Sequence, residues 1–316
     1  MRILVTGAAG NLGSMLARHL LVRSEHMLNL MVHRKPVGDD LLAGSRTKAY
    51  RCDLAEPSSL AEACSATDVI VHFAGVLFAP GPEKFLPITN TLYTKHLVDT
   101  AIREGVKRFV LISFPHVEGP TSIHDPCRDR QDREPISVHA KTRLAAEQYL
   151  MERVRGSGMR AISLRPGMIY GRDVLMIAFA KKLAQKRLLG VWRRPTPIHL
   201  ISIDDFNASC QAAIERPEAQ GIYPLGDDSP TTLQEFLDLA CGHWGLRKPW
   251  RVPVWGVYAV AWMCETTTKL LRTRTPFTVD FIRIGRVPYY CDTTRMKADL
   301  LPTLKYPSMK KGLGIL

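Results

Sequence analysis

The 316-residue sequence has no pair of cysteines at the spacing of a metal or redox motif. Its seven cysteines are scattered singly, so neither a disulfide framework nor a zinc site is indicated. Ten histidines likewise lack metal-ligand spacing, and no metal is expected. An apolar run long enough to cross a bilayer is also missing. The longest, Val252–Cys264, has thirteen residues and contains Pro253 and Gly256, against about 20 for a spanning helix. It reads as a buried helix. Lys269, Arg272 and Arg274 behind it keep a peripheral membrane-surface patch open as the alternative. No basic, apolar leader precedes the first strand, and a cytoplasmic location is expected.

Acidic charge is scarce: 30 Asp and Glu stand against 43 Lys and Arg, a formal net charge of +13. The basic residues fall in small clusters, such as Lys181, Lys182, Lys186 and Arg187, or Arg193 and Arg194, or Lys310 and Lys311. No helix-turn-helix, zinc finger or RNA-binding aromatic motif accompanies them, so nucleic acid is not expected as a partner. Attraction of anionic cofactors and small-molecule substrates accounts for the balance.

What is present is an alternation of short apolar runs with helical patterns. Residues 2–6, 28–33, 48–53, 68–74, 108–113 and 160–166 read as strands covered on both faces, as in a parallel sheet. Helices are expected over 12–21, 58–63 and 88–104, the last stopped by Gly105. Such alternation implies right-handed crossovers and an α/β, Rossmann-type doubly wound sheet. A further strand leads into a helix at 197–206, and a Thr-x-x-Gln box opens a helix over 231–241. The expected division is a dinucleotide-binding domain over 1–170, to which 197–220 returns, and a smaller, partly interleaved substrate lobe over 171–316.

"VTGAAGNLG" sets Gly7, Gly10 and Gly13 after the first strand and, with Asn11 and Leu12, at the mouth of the first helix. Glycines serve where the backbone turns sharply and a diphosphate approaches closely, and the helix's free N–H groups meet its charge. The second strand ends "VHRKP", with Arg34 where an NAD site usually carries a carboxylate. A carboxylate repels a 2′-phosphate and a guanidinium grips it, so NADP is favoured, with NAD as the alternative.

From these motifs the chain is identified as resembling the extended short-chain dehydrogenase/reductase superfamily, of NAD-dependent epimerase/dehydratase type. The resemblance runs through Thr6–Gly13, "CDLAEPSSLAEA", "VIVHFAG", "ISLRPGMIYGR", "HLISIDD", "GIYPLGDDSPTTLQEF" and the tail "CDTTRMKADLL". It implies Asp53 and Leu54 beside the adenine, Ala74 and Gly75 flanking the ribose, and Pro166 and Gly167 by the nicotinamide amide. It also implies a homodimer through helices near 88–104 and 140–155.

The family's chemistry uses a Ser or Thr, a Tyr, and a Lys four residues after the Tyr, which shares one helical face with it. In "SVHAKTRLAAEQYL" (137–150) there is no such tyrosine. One alignment puts Ser137 and Lys141 in the Tyr and Lys positions. The preferred one puts His139 and Arg143 there, with Glu147 four beyond. The serine position aligns with Phe114, and Ser113 is one residue off, on the opposite strand face. Histidine titrates near neutrality and can exchange protons, whereas arginine can hold ribose hydroxyls but not relay a proton. The expected function is an NADP-dependent oxidoreductase or epimerase/dehydratase-like enzyme with His139 and Arg143 in the altered catalytic set. The alternatives are a non-catalytic NADP-binding regulator or scaffold resembling NmrA-like members and, on Val252–Cys264 and the tail alone, a membrane-surface hydroxysteroid-type enzyme.

Overall fold

Seven strands form the central sheet of the computed structural model, which describes residues 1–76, 81–271 and 277–316, without the side chains of 269–271. They are β1 (Arg2–Thr6), β2 (Met27–Val32), β3 (Thr47–Arg51), β4 (Val69–His72), β5 (Arg108–Ile112), β6 (Arg160–Pro166) and β7 (Gly221–Leu225). Their spatial order is β7-β6-β5-β4-β1-β2-β3, and every pairing is parallel. The order reverses between β1 and β4, so the crevice beyond the carboxyl ends of those strands is where such sheets take ligands.

Helices cover both faces, which is why the strands read as continuous apolar runs. Along β1, Ile3 and Val5 point to one core while Leu4 points to the other; Val69, Val71 and Ile70 on β4 divide the same way. The first face is covered by α1 (Asn11–Arg23), through Leu16 and Leu20, and by a helix over Ile203–Glu215, through Phe206 and Ala213. The second is covered by α2 (Tyr93–Arg103), through Leu97 and Val98, and by α3 (Val138–Arg153), through Leu150.

Several expectations are corrected. The helix expected over 88–104 is a π-helical turn, Pro87–Leu92, running into α2. Pro87 supplies no N–H to a ladder. The segment 197–206 does lead from strand into helix, at Ile203, but its strands, Pro197–Ile198 and Leu200–Ser202, are short and lie outside the main sheet. The sheet is instead completed by β7, which had no strand reading. Over 231–241 the cap is Thr232, whose hydroxyl accepts from Glu235 N at 3.1 Å; Gln234 turns away and accepts from Thr196 N at 2.9 Å.

All but the first two residues of the apolar run 252–264 lie in a helix over Val254–Leu271, designated α4, which is not a buried helix. Val257 and Ala261 are buried, yet Trp255 is 74% exposed and Trp262 is 62% exposed. Among the described residues no helix is long and apolar enough to cross a membrane. Arg272 and Arg274, and the side chain of Lys269, lie outside the described residues.

Candidate active site and nucleotide cleft

The glycine-rich turn leaves β1 with Gly7 at φ 68°, a left-handed conformation. A Cβ on Gly7 would meet Ala74 N at 3.0 Å, and one on Gly13 would meet Gly7 O at 2.4 Å. Both positions therefore need glycine for the turn itself. Gly10 caps α1 without any side-chain hydrogen bond, and the first turn of the helix carries no acid. The first intrahelical bond is Ser14 N to Gly10 O, so the N–H groups of Asn11, Leu12 and Gly13 lack intrahelical acceptors. That end of α1 is set up for an anion. The Asn11 side chain is already engaged: it donates to Asp173 O and accepts from Leu175 N, both at 2.8 Å. Only its backbone remains for a phosphate.

At the end of β2, Arg34 and Lys35 are exposed, and neither makes a hydrogen bond or ion pair among the described residues. Asp53, just past β3, accepts from Ala55 N at 2.9 Å and lies 3.3 Å from His33 Nε2. Leu54 offers its carbonyl to His96 Nδ1 at 2.9 Å.

Helix α3 separates the two alignments of the catalytic pair. Ser137 is its N-cap, with its hydroxyl accepting from Ala140 N at 3.1 Å, and Lys141 is on the exposed side. His139 and Arg143 both point inward and are buried. Phe114 stacks on His116 with centroids 4.5 Å apart and meets the His139 ring edge-on at 5.0 Å. An apolar ring thus packs against both histidines at the position that the sequence alignment gives to the family's serine. The Ser113 hydroxyl is buried without a partner and makes no bond to His139 or Arg143.

Arg143 is the unusual member. Its Nη1 is buried with no hydrogen-bond partner, and no carboxylate pairs with it among the described residues. Burial pushes its pKa down to about 10. Buried guanidinium groups are ordinarily paired. It lies against Gly75, next to the Ala74 that touches the glycine turn. Burial first, then the charge of Arg143 and the neighbouring His116, hold His139 well below its ordinary value. His139 is therefore neutral at physiological pH.

Three polar residues at the site have no local sequence signature. His72, at the end of β4, is hydrogen-bonded through Nδ1 to Thr6 Oγ1 at 2.8 Å and through Nε2 to Thr94 Oγ1 at 3.1 Å. Thr94 donates to Asn90 O at 2.8 Å. The Asn90 amide locks onto Val76, accepting from its N at 2.8 Å and donating to its O at 2.9 Å, while Nδ2 faces His139 Nδ1 at 3.4 Å. A polar chain thus runs from the last residue of β1 to the candidate catalytic histidine. The π-helical turn presents Asn90 into it, as such turns commonly do at functional sites.

On β6, Arg165 is fully buried and joins Glu147 and Glu118. Its Nε donates to Glu147 Oε2 at 3.1 Å and its Nη1 to Glu118 Oε1 at 2.5 Å, and Nη2 bonds to the other Glu147 oxygen. It also holds the carbonyls of Arg128 and Arg130, which straps the loop 118–134 to the sheet. Glu147 is thus spent on structure. Past Pro166, a Cβ on Gly167 would meet His199 O at 2.4 Å. The next N–H, of Met168, is occupied by His199 O at 2.8 Å and the Tyr289 hydroxyl at 2.9 Å.

A turn of this form, an anion-ready helix end and an inward pair four residues apart on α3 can be set against known proteins. The model of the NAD dependent epimerase/dehydratase family matches residues 3–226. The chain belongs to this family. Among curated relatives, a UDP-glucose 4-epimerase from Vibrio cholerae is 26% identical over 270 residues, covering 80% of this chain and 78% of the relative. A uronate dehydrogenase from Pseudomonas syringae pv. tomato is 26% identical over 219 residues, covering 69% and 70%. Among solved structures, a UDP-glucuronic acid 4-epimerase from Bacillus cereus, in complex with UDP-glucuronic acid and NAD, superposes with TM-score 0.78 at 18% identity, over 100% of this chain and 97% of that one. A Thermus thermophilus UDP-glucose 4-epimerase complexed with NAD gives 0.77 at 19%, with the same coverage. At such identities the superpositions establish the fold, a Rossmann-type sheet.

Proposed function

We propose that this family member binds a nicotinamide dinucleotide, NADP in preference to NAD, across the carboxyl ends of β1, β2 and β4. It uses the nucleotide in oxidoreductase or epimerase/dehydratase-like chemistry at a carbonyl or alcohol carbon of a small molecule. The observation that carries the reading is Arg143, a buried guanidinium with an unpartnered Nη1 beside the glycine-rich turn. A charge of this kind is tolerated where a ligand completes its bonds.

Gly7, Gly10, Gly13 and the free N–H groups of Asn11 and Leu12 would hold the pyrophosphate, and Arg34 the 2′-phosphate. Asp53 and Leu54 would lie by the adenine, and Ala74, Gly75, Pro166 and Gly167 would flank the ribose and amide. The nucleotide supplies the hydride donor or acceptor when bound. Arg143 would take the ribose hydroxyls, as the family's lysine does, and impose positive charge. His139, kept neutral, can accept a proton from a substrate hydroxyl at a ring nitrogen. Asn90 fixes the ring's position. The relatives that work on UDP-sugars and uronates support a polar, hydroxyl-bearing substrate.

A second reading, a nucleotide-binding protein without turnover, is favoured by one observation. His139 is only 2% exposed and is covered by Phe114 where the family places a serine. Calorimetry with NADP⁺, NADPH, NAD⁺ and NADH, followed by a carbonyl and alcohol panel read by nicotinamide fluorescence, separates the two. Binding with turnover that is lost in His139→Ala supports the enzyme. Binding without turnover on any substrate supports the second reading, and absence of heat with all four nucleotides overturns both.

A further inference from the structure

Away from the nucleotide cleft, one surface has no role in the reading above. From Trp255 to Thr267, a rise of about 18 Å along α4, the helix presents a solvent-facing stripe without a single charged residue. Trp255, Ala259, Val260, Trp262 and Met263 are all exposed. They recur at intervals of three and four, so they share one face. Thr266 and Thr267 extend the stripe. Their hydroxyls donate to the carbonyls of Trp262 and Met263 one turn back, which leaves their methyl groups outward. The opposite face, with Val257 and Ala261, packs on the protein. Exposed tryptophans grouped this way are unusual on a monomeric surface.

The rim of the stripe is basic. Trp250, 65% exposed, donates from Nε1 to Arg187 O at 2.9 Å, and this brings Lys186, Arg187 and the exposed Leu188 beside the start of α4. Arg247 is exposed three residues before Trp250. On another flank, Arg286 donates to the Tyr258 hydroxyl at 3.3 Å and lies over its ring. Lys186, Arg187 and Arg247 make no ion pair among the described residues. Of the nearby acids, Asp238 pairs with Arg251, and Glu265 accepts from the backbone N–H of Val279.

We propose that the stripe over Trp255–Thr267 is a docking surface for an anionic phospholipid membrane, lying in the interfacial plane rather than crossing the bilayer. Tryptophan suits that depth, with its ring among acyl chains and its N–H near the headgroups. Satisfied threonine hydroxyls remove the cost of taking them out of water. The cations of the rim meet lipid phosphates, which adds electrostatic attraction to the buried apolar area. A second copy of this chain is a poorer occupant. A two-fold contact over the stripe would set the basic rim, Lys186, Arg187 and Arg247, against itself.

The test uses the full chain with vesicles of phosphatidylcholine, alone or mixed with phosphatidylglycerol. Co-sedimentation with the mixed vesicles should exceed that with phosphatidylcholine by roughly tenfold and fall with added salt. Trp255→Glu/Trp262→Glu should lose on the order of tenfold or more of that partitioning, with an unchanged far-ultraviolet spectrum and melting temperature. Trp255→Phe/Trp262→Phe should keep binding but lose most of the quenching of tryptophan emission by brominated phosphatidylcholine, leaving what Trp250 at the rim contributes. Absence of partitioning into either vesicle overturns the proposal, as does partitioning that the glutamate pair leaves unaltered. Self-association abolished by that pair, without vesicle binding, would assign the face to a second copy instead.

Discussion

The guanidinium of Arg143 rests against the backbone of Gly75: a methyl group at Gly75 would come to 2.4 Å of Nη2 and 3.1 Å of Cζ. Gly75 follows the strand that carries His72, and Arg143 is one turn of α3 beyond His139. The contact therefore ties the nucleotide cleft to the candidate catalytic histidine. It also leaves a cation in the interior with Nη1 unbonded, an arrangement that weakens the empty protein.

Replacing that cation should separate stability from binding. Arg143→Met keeps the length and apolar stem of the side chain and removes the unpaired charge. The nucleotide-free protein should gain about 1–3 kcal/mol against urea, because a buried polar group without a partner is costly. Nicotinamide nucleotide affinity should fall by about tenfold or more, the loss expected for a charge-assisted hydrogen bond. Urea titration and calorimetry on the same preparation check both. A variant that is less stable and binds as before would remove Arg143 from the site.

Histidine burial gives the protein an acid limit. Burial and the charge of Arg143 lower His72 to about 3, burial lowers His116 to about 3, and His139 shifts the same way. Each is neutral in the fold and protonates near 6.5 when unfolded. Their contribution is fully present above that value and is lost as pH falls toward 3, at about 1.4 kcal/mol per pH unit for each. Asp227 acts in the opposite sense. Burial raises it to about 7, so its contribution is present at low pH and is lost as pH rises through 7. Near pH 5.5 the three histidines outnumber Asp227, so these four groups should contribute a net uptake of about two protons on unfolding, with His19 and His199, lowered by burial, adding in the same sense and Asp280, raised by burial, opposing them. Urea denaturation from pH 5 to 7 reads the slope, and His116→Leu should lower it by about one proton. A flat profile would contradict the burial of these rings.

Arg165 yields a structural prediction. Glu147→Gln removes one of its two carboxylates and leaves the guanidinium, fully buried, short of charge. Breaking such a pair costs about 3–5 kcal/mol. Because Arg165 also holds the carbonyls of Arg128 and Arg130, the loop 118–134 should loosen. Trypsin should then cut at Arg128, Arg130 or Arg133 before the rest of the chain. Equal resistance to trypsin in variant and parent would show that the strap is not held this way.

Local patterns in the sequence reached most of this architecture and stopped where tertiary contacts decide. Six strands were legible because burial on both faces leaves unbroken apolar runs, and the glycine turn was legible because its spacing is fixed by backbone geometry. Strand β7 was not. Pro224 lies inside it, and a proline argues against a central strand. The structure places β7 at the sheet edge, paired only with β6, where proline is tolerated. His72, Thr94 and Asn90 share no local period, so only the fold brings them together. The run 252–264 is apolar enough for a core helix, and nothing in its order shows that one face lacks a cover. His139 and Arg143 were legible through their spacing of four, while the isolation of Arg143 from any carboxylate was not.

The proposed preference for NADP rests on Arg34, exposed and without a partner among the described residues beyond the end of β2. Its neighbour His33 is near Asp53, whose other oxygen accepts from Ala55 N. That carboxylate is thereby held in its own turn, and in the proposed complex Arg34 would meet the 2′ position. A guanidinium–phosphate contact at a partly hydrated site contributes about 1.5–3 kcal/mol. Arg34→Ala should therefore weaken NADPH binding by about 10- to 100-fold while leaving NADH within roughly threefold. Calorimetric titration of both coenzymes against parent and variant gives the ratio directly. If the two affinities drop together, Arg34 acts on the general charge of the cleft and not on the 2′-phosphate, and the preference for NADP loses its basis.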